Sequence, residues 1–94
     1  MYNLTLDQYG ILRASAHSFC VTANDKDPSE HLYNMSILAD EVAILTGKIP
    51  EDSVCHKATE KAKNLGAGKS FDECMENAEK VLEVFLGSFT YAKE

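Results

Sequence analysis

The segment DPSEHLYNMSILADEVAILTG, residues 27–47, carries both a start signal and a stop signal for a helix. Asp27 can cap the first turn, Pro28 suits the first helical position, and Glu30 closes a capping box. Gly47 stands where a glycine typically ends a helix. Between these signals, apolar residues recur at helical spacing on one face: Leu32, Met35, Leu38, Ala39, Val42 and Leu45. This segment therefore predicts an amphipathic helix that needs other helices to cover it.

Capping signals also predict helices in the flanking sequence. Thr5 with Gln8 forms one capping box, and Ser70 with Glu73 forms another. A weaker helix, with a mostly small apolar edge, begins after Pro50. No segment alternates with a period of two, so no strand is predicted. The expected fold is all-α, a small four-helix bundle-like domain with short loops spanning residues 1–94, with helices at 6–23, 28–46, 51–65 and 71–86.

The composition limits the classes of function. A formal net charge of −6 argues against direct binding of nucleic acid or an anionic membrane, because both need clustered positive charge. No apolar run approaches the roughly 20 residues of a membrane span, and no signal-peptide pattern is present, so a cytoplasmic location is expected. The three cysteines and three histidines lack the paired spacing of disulfide frameworks and zinc sites. We expect no metal and no cofactor.

The segment NLGAGKSFDE, residues 64–73, has the composition of a phosphate-binding loop. A Walker loop needs a glycine five residues before Gly68, where Lys63 stands, and a strand before the loop, where a helix is predicted. Helix capping explains the same residues. A looser anion site at the helix start stays open as an alternative function, the binding of a small anionic ligand or nucleotide there or at a subunit seam. Its candidate residues are Lys57, Lys61, Gly68, Lys69 and Ser70.

Four carboxylates share one face of the last predicted helix: Asp72, Glu76, Glu79 and Glu83. The simple interpretation is a solvated acidic face. The segment ENAEKVLEVFL, with ADEVAIL in the second helix, also resembles the all-α nucleotide pyrophosphohydrolases of the MazG type over a short part of the chain. That family holds magnesium between two helices with paired carboxylates, so the resemblance implies a degenerate magnesium-dependent hydrolase as a further alternative. It departs at Ile44, where the family's pattern has a carboxylate, and a lost ligand weakens magnesium binding.

Small and apolar residues also occupy the side of the first two helices that faces away from the predicted core. Residues 14–23, ASAHSFCVTA, carry no formal charge. A helix that is apolar or small all round is usually buried on both sides, and a domain this short has little core. Either the bundle's own helices cover these faces, or the chain forms a homodimer or larger even assembly, which we expect. The candidate interface residues are Ile11, Ser15, Ser18, Thr22, Tyr33, Ile37 and Ile44.

These features favour a binding protein over an enzyme, and no residue is predicted to be catalytic. We expect a small acidic helical module that acts by contacting another macromolecule. Its size and charge are typical of the adaptors and inhibitors that phages and mobile elements often carry. The expected partner is another protein, which the sequence does not identify.

Overall fold

The computed structural model describes residues 2–66, 68–87 and 89–91, which form four helices joined by short loops and two short strands. The all-α four-helix class predicted from the sequence is confirmed. Within these residues, no helix is long and apolar enough to cross a membrane. The elements in chain order are β1 (Tyr2–Leu4), α1 (Leu6–Val21), α2 (Ser29–Thr46), α3 (Asp52–Leu65), α4 (Phe71–Leu86) and β2 (Phe89–Tyr91).

Local signals place the helix ends close to their predicted positions. At the start of α1, the Thr5 hydroxyl accepts from the Gln8 backbone N–H, and the Gln8 side chain accepts from the Thr5 N–H, so the capping box is complete. Gly47 ends α2 with a φ of 72°, a left-handed conformation that favours glycine. α1 ends two residues earlier than predicted, where the Ala23 N–H bonds to the Cys20 carbonyl three residues back and no longer to a carbonyl four residues back.

The capping box predicted at the start of α2 does not form. The helix begins at Ser29, and Pro28 occupies the cap position, which has no side-chain capping bond. The Asp27 carboxylate accepts from the backbone N–H of Ser29 at 3.0 Å and from its hydroxyl at 2.7 Å. In the part of the chain that the structure describes, Glu30 makes no return bond to Asp27. The Glu30 carboxylate is exposed and free to face solvent or a partner.

The helices form a flat arrangement of 38 × 29 × 17 Å with α1 at its centre. α1 packs extensively against α4 and α2, while α3 packs mainly against α4. The largest fully buried side chains come from three helices: Leu12, Phe19 and Cys20 in α1, Leu38 in α2, and Val81 and Leu82 in α4. α2 has few contacts beyond α1, so its outer side stays open.

The sequence places Leu32 on the core face of α2, but Leu32 lies outside the core, as does Phe71 at the start of α4. Leu32, in the first turn of α2, is 63% exposed, and Phe71, the first residue of α4, is 72% exposed. Both stand at helix ends, where a face with the right periodicity extends beyond its neighbouring helix. Helical periodicity places a residue on a face but does not show how far the next helix reaches.

The two strands correct the expectation of an entirely strand-free chain. β1 and β2 pair in parallel, with Tyr2 opposite Phe89 and Leu4 opposite Tyr91. The connection between them is the complete set of four helices. Leu4 is buried and joins the hydrophobic core. Strands of three residues are too short to show alternation in a sequence, and such a pair persists only against a larger core.

Candidate interaction surface

An open groove runs along the line where α1 and α2 meet. One part has a volume of about 210 Å³ and is lined by Ala14, Ser15, Ser18, Asn34 and Ile37. A neighbouring part of about 370 Å³ is lined by His17, Ser18, Val21, Thr22, Glu30 and Asn34. The two parts adjoin at Ser18 and Asn34, which line both of them. Small side chains on α1 leave this space open.

Hydrogen bonds between α1 and α2 fix the walls of the groove. The Ser15 hydroxyl donates to a Glu41 carboxylate oxygen at 2.5 Å. The Asn34 amide donates to the Ser18 carbonyl at 3.3 Å and to the Thr22 hydroxyl oxygen at 3.2 Å. Of the candidate interface residues on α1, Ser15 and Thr22 thus contact α2 of the same chain, and Thr22 is buried. Ser18 is exposed.

Large apolar side chains remain exposed on the two helices that form the groove. Ile11 on α1 is 51% exposed, and Tyr33 and Ile44 on α2 are 68% and 78% exposed. Ile37 is half-buried and continues the stripe between Tyr33 and Ile44, four and seven residues away. We call this region the seam surface, defined as Ile11, Ser15, Ser18, Tyr33, Ile37 and Ile44. Clustered apolar exposure of this kind is typical of interaction sites.

The residues of α2 that carry a formal charge are all acidic. α2 contains Glu30, Asp40 and Glu41 and no lysine or arginine. Arg13 is the basic residue of α1, and it is directed to the other side of that helix, where its guanidinium lies 3.6 Å from a Glu79 carboxylate oxygen. The seam surface is therefore apolar at its centre and acidic along its α2 edge.

His31 lies beneath this surface and was not identified from the sequence. It is 6% exposed, and its ring stacks on Phe19 with 4.2 Å between centroids and 16° between planes. Nδ1 lies 3.1 Å from the Phe19 carbonyl oxygen, which assigns the proton to Nδ1. Nε2 is buried without a hydrogen-bond partner among the described residues. Burial lowers the pKa of His31, and Lys63 acts in the same direction, while the Phe19 carbonyl and Asp25 oppose this.

Because His31 is buried, we expect the free energy of unfolding to fall as the pH is lowered from 7.5 to 5.5. The folded-state pKa lies below the ordinary value of 6.5, so the unfolded chain binds the proton more readily. The stabilising contribution of neutral His31 is complete above pH 6.5 and is lost as the pH falls through the folded-state pKa, by at most about 1.4 kcal/mol per pH unit. Urea unfolding at the two pH values measures the loss.

Over this pH interval, the free energy of unfolding of the His31→Gln variant should fall less than that of the unmodified protein, because glutamine does not titrate. His56→Gln is the matched control, since His56 is exposed on α3. An equal loss of stability in His31→Gln and in the unmodified protein would assign the pH dependence to other groups.

The four acidic residues of α4 do not form a uniform solvated face. Asp72, Glu76 and Glu83 are exposed, but Glu79 is half-buried. Its carboxylate accepts a hydrogen bond from the Tyr9 hydroxyl and pairs with Arg13, which also lies 5.7 Å above the Tyr9 ring. Glu79 therefore links α4 to α1.

This arrangement gives no support to a magnesium site between α2 and α4. Glu41 bonds to Ser15 on α1, whereas Glu79 bonds to Tyr9, which is about 120° away around the same helix. α1 thus lies between the two sets of carboxylates. Over the described residues, no group of three histidine, cysteine, aspartate or glutamate side chains could hold a metal ion.

A carboxylate of the chain itself, that of Glu73, already occupies the predicted anion site at the start of α4. The Lys69 backbone N–H donates to Glu73 at 2.7 Å, and the Ser70 hydroxyl accepts from the Glu73 N–H. Gly68 has a φ of 84°, and a Cβ there would lie 3.1 Å from the Cys74 nitrogen, so this loop requires glycine for packing. Lys57 and Lys61 are exposed one turn apart on α3. A phosphate would have to displace Glu73.

A second groove, of about 380 Å³, lies where the ends of α2 and α4 meet the start of α3. Its apolar walls include Val42, Val54 and Phe85. Lys48 and Glu51 both line it, and their opposite charges give no net attraction for an anion. This groove therefore adds nothing to the small-anion alternative.

No family model, curated protein or solved structure matches this chain. The assignment of function therefore depends on the surface features described above.

Proposed function

We propose that this chain is a non-catalytic interaction module that binds another protein through the seam surface. The observation that carries the proposal is the exposure of Ile11, Tyr33 and Ile44 on the two helices that form an open groove. Water disfavours exposed apolar area by about 25 cal/mol per Å², so covering this cluster favours binding. The absence of a membrane-spanning helix from the described residues is compatible with the cytoplasmic location that we propose.

Affinity purification of tagged variants from the native host tests this proposal. Tyr33→Glu combined with Ile44→Glu should release the bound protein, because each change places a charge in the apolar cluster. Phe71→Glu is the matched control, since Phe71 is equally exposed but stands on α4. Circular dichroism should show unchanged helicity in all variants. Retention of the partner by the seam variant, or its equal loss from the Phe71 variant, would contradict the proposal.

Self-association is a second candidate, favoured by the same exposed cluster. In a homodimer or larger even assembly, Ile11 and Ile37 of one copy would contact the same residues of another copy. Each copy would then cover the seam surface of the other. Light scattering should then show dimers, and the double variant Ile11→Glu/Ile37→Glu should give helical monomers. If the unmodified protein is monomeric at micromolar concentration, this candidate is wrong and the seam surface is free for a different protein.

A further inference from the structure

We infer that the seam surface receives a basic amphipathic helix of another protein, about three turns long. This inference rests on the proposed function and adds the chemistry of the partner. Three features of the surface carry it: the shape of the groove, the spacing of the apolar side chains, and the sign of the surrounding charge.

The groove has the shape that a third helix fills. α1 and α2 are antiparallel, because Thr22 lies beside His31 and Ser18 beside Asn34, while Ser15 lies beside Glu41. Along α1, the groove runs from Ala14 to Thr22, and its part next to Ile37 is lined by the small side chains Ala14, Ser15 and Ser18. Small residues let another helix approach closely, and two parallel ridges guide it along the groove.

Ile37 lines the groove, and Tyr33 and Ile44 are exposed on the same face of α2 at a helical repeat. From Tyr33 to Ile44, α2 rises over 11 residue steps, which is about 16 Å, or three turns. A partner helix with apolar residues at positions i, i+4, i+7 and i+11 presents side chains at the same interval. Such a helix buries its apolar face between Ile11 on α1 and Ile37 on α2.

Charge complementarity selects a basic helix. Glu30 lines the groove, Asp40 is exposed on α2, and this helix carries no lysine or arginine. Lysine or arginine side chains flanking the apolar face of a partner would lie next to these carboxylates. Opposite charges at the rim of an interface increase the association rate and exclude partners of the wrong sign.

The same charges disfavour a second copy of this chain at the seam surface. A symmetric pair would bring two Glu30 and two Asp40 side chains to one interface, on chains that each carry a net charge of −6. Of this chain's helices, α3 has more basic than acidic residues, and its apolar edge at Ala58 and Ala62 is already buried. The chain therefore does not offer the complementary helix itself.

Binding of two synthetic peptides tests the inference. The first, of about 15 residues, has leucine at i, i+4, i+7 and i+11 and lysine at the flanking positions. The second has glutamate in place of every lysine. Fluorescence anisotropy should show a micromolar Kd for the basic peptide and at least about tenfold weaker binding of the acidic peptide. Circular dichroism should show that the basic peptide gains helicity when bound.

Paired variants show where the basic peptide binds. Ile37→Ser/Ile44→Ser should weaken binding by at least about tenfold, whereas Phe71→Ser should not. Glu30→Gln/Asp40→Asn should weaken binding and reduce its salt dependence. Glu76→Gln/Glu83→Gln removes the same charge from the exposed part of α4 and should leave binding unchanged.

Three results would overturn the inference: no binding of the basic peptide, equal binding of the acidic peptide, or an equal effect of the seam pair and the α4 pair of charge variants. Equal peptide affinities that still depend on Ile37 and Ile44 would leave the proposed function standing. If the Ile37 and Ile44 changes affect neither peptide, and Tyr33→Glu/Ile44→Glu leaves the host protein bound, the proposed function fails as well.

Discussion

Truncation of Phe19 to alanine is expected to lower the free energy of unfolding by about 3–5 kcal/mol. Phe19 is fully buried and links three helices. It stacks on His31 of α2 and makes an edge contact with Phe85 of α4, at 6.4 Å between centroids. Because a domain of this size has a total stability of only about 5–15 kcal/mol, the substitution should remove a large part of it. Urea unfolding followed by circular dichroism measures the change.

Phe71→Ala is the matched control for this prediction. It makes the same chemical change at a site that is 72% exposed, where the expected effect is within about 0.5 kcal/mol. Similar unfolding midpoints for the two variants would mean that Phe19 does not occupy the centre of the core.

Cys20 is expected to be the least reactive of the three cysteines by a wide margin. It is buried, and burial together with the charge of Cys74 raises its pKa from 9.0 to about 12. Since the thiolate is the reactive form, this change lowers its population about a thousandfold, before any effect of steric protection. Alkylation with iodoacetamide at pH 8, followed by peptide mass spectrometry, should modify the half-buried Cys74 well before Cys20.

Denaturant provides the control for the cysteine experiment. In urea the three thiols should react at similar rates, because the environment of Cys20 is lost on unfolding. Modification of Cys20 at the rate of Cys74 in the native protein would show that the packing between α1 and α4 opens readily. Complete protection of Cys20 would make it a reporter of global unfolding.

Sequence alone predicted the helix boundaries well, because the signals that set them are local. Thr5 with Gln8, Ser70 with Glu73, and Gly47 act on backbone groups within four residues. The two strands were missed because their pairing joins Tyr2 to Phe89, and no local pattern records such a distant partner.

The seam surface was predicted only in part. The stripes on α1 and α2 were identified from helical periodicity, and Tyr33 and Ile44 are exposed as expected. The periodicity did not show that Ser15 and Thr22 face α2 of the same chain, because it assigns a direction to each side chain but not a neighbour. Burial of His31 was missed for a related reason. A histidine in the first turn of a helix is expected to be exposed to solvent. Only the structure shows that His31 stacks on Phe19.

The parallel pairing of β1 and β2 bears on the order in which the protein folds. The hydrogen bonds of each helix join residues that are near in sequence. The pairing of β1 with β2 joins segments that are separated by all four helices. The entropy of closing so long a loop opposes the pairing until the helices have collapsed and brought both segments to one place. We therefore expect the strand hydrogen bonds to form after the helical core, and Leu4, which is part of that core, to reach its place in the same late step.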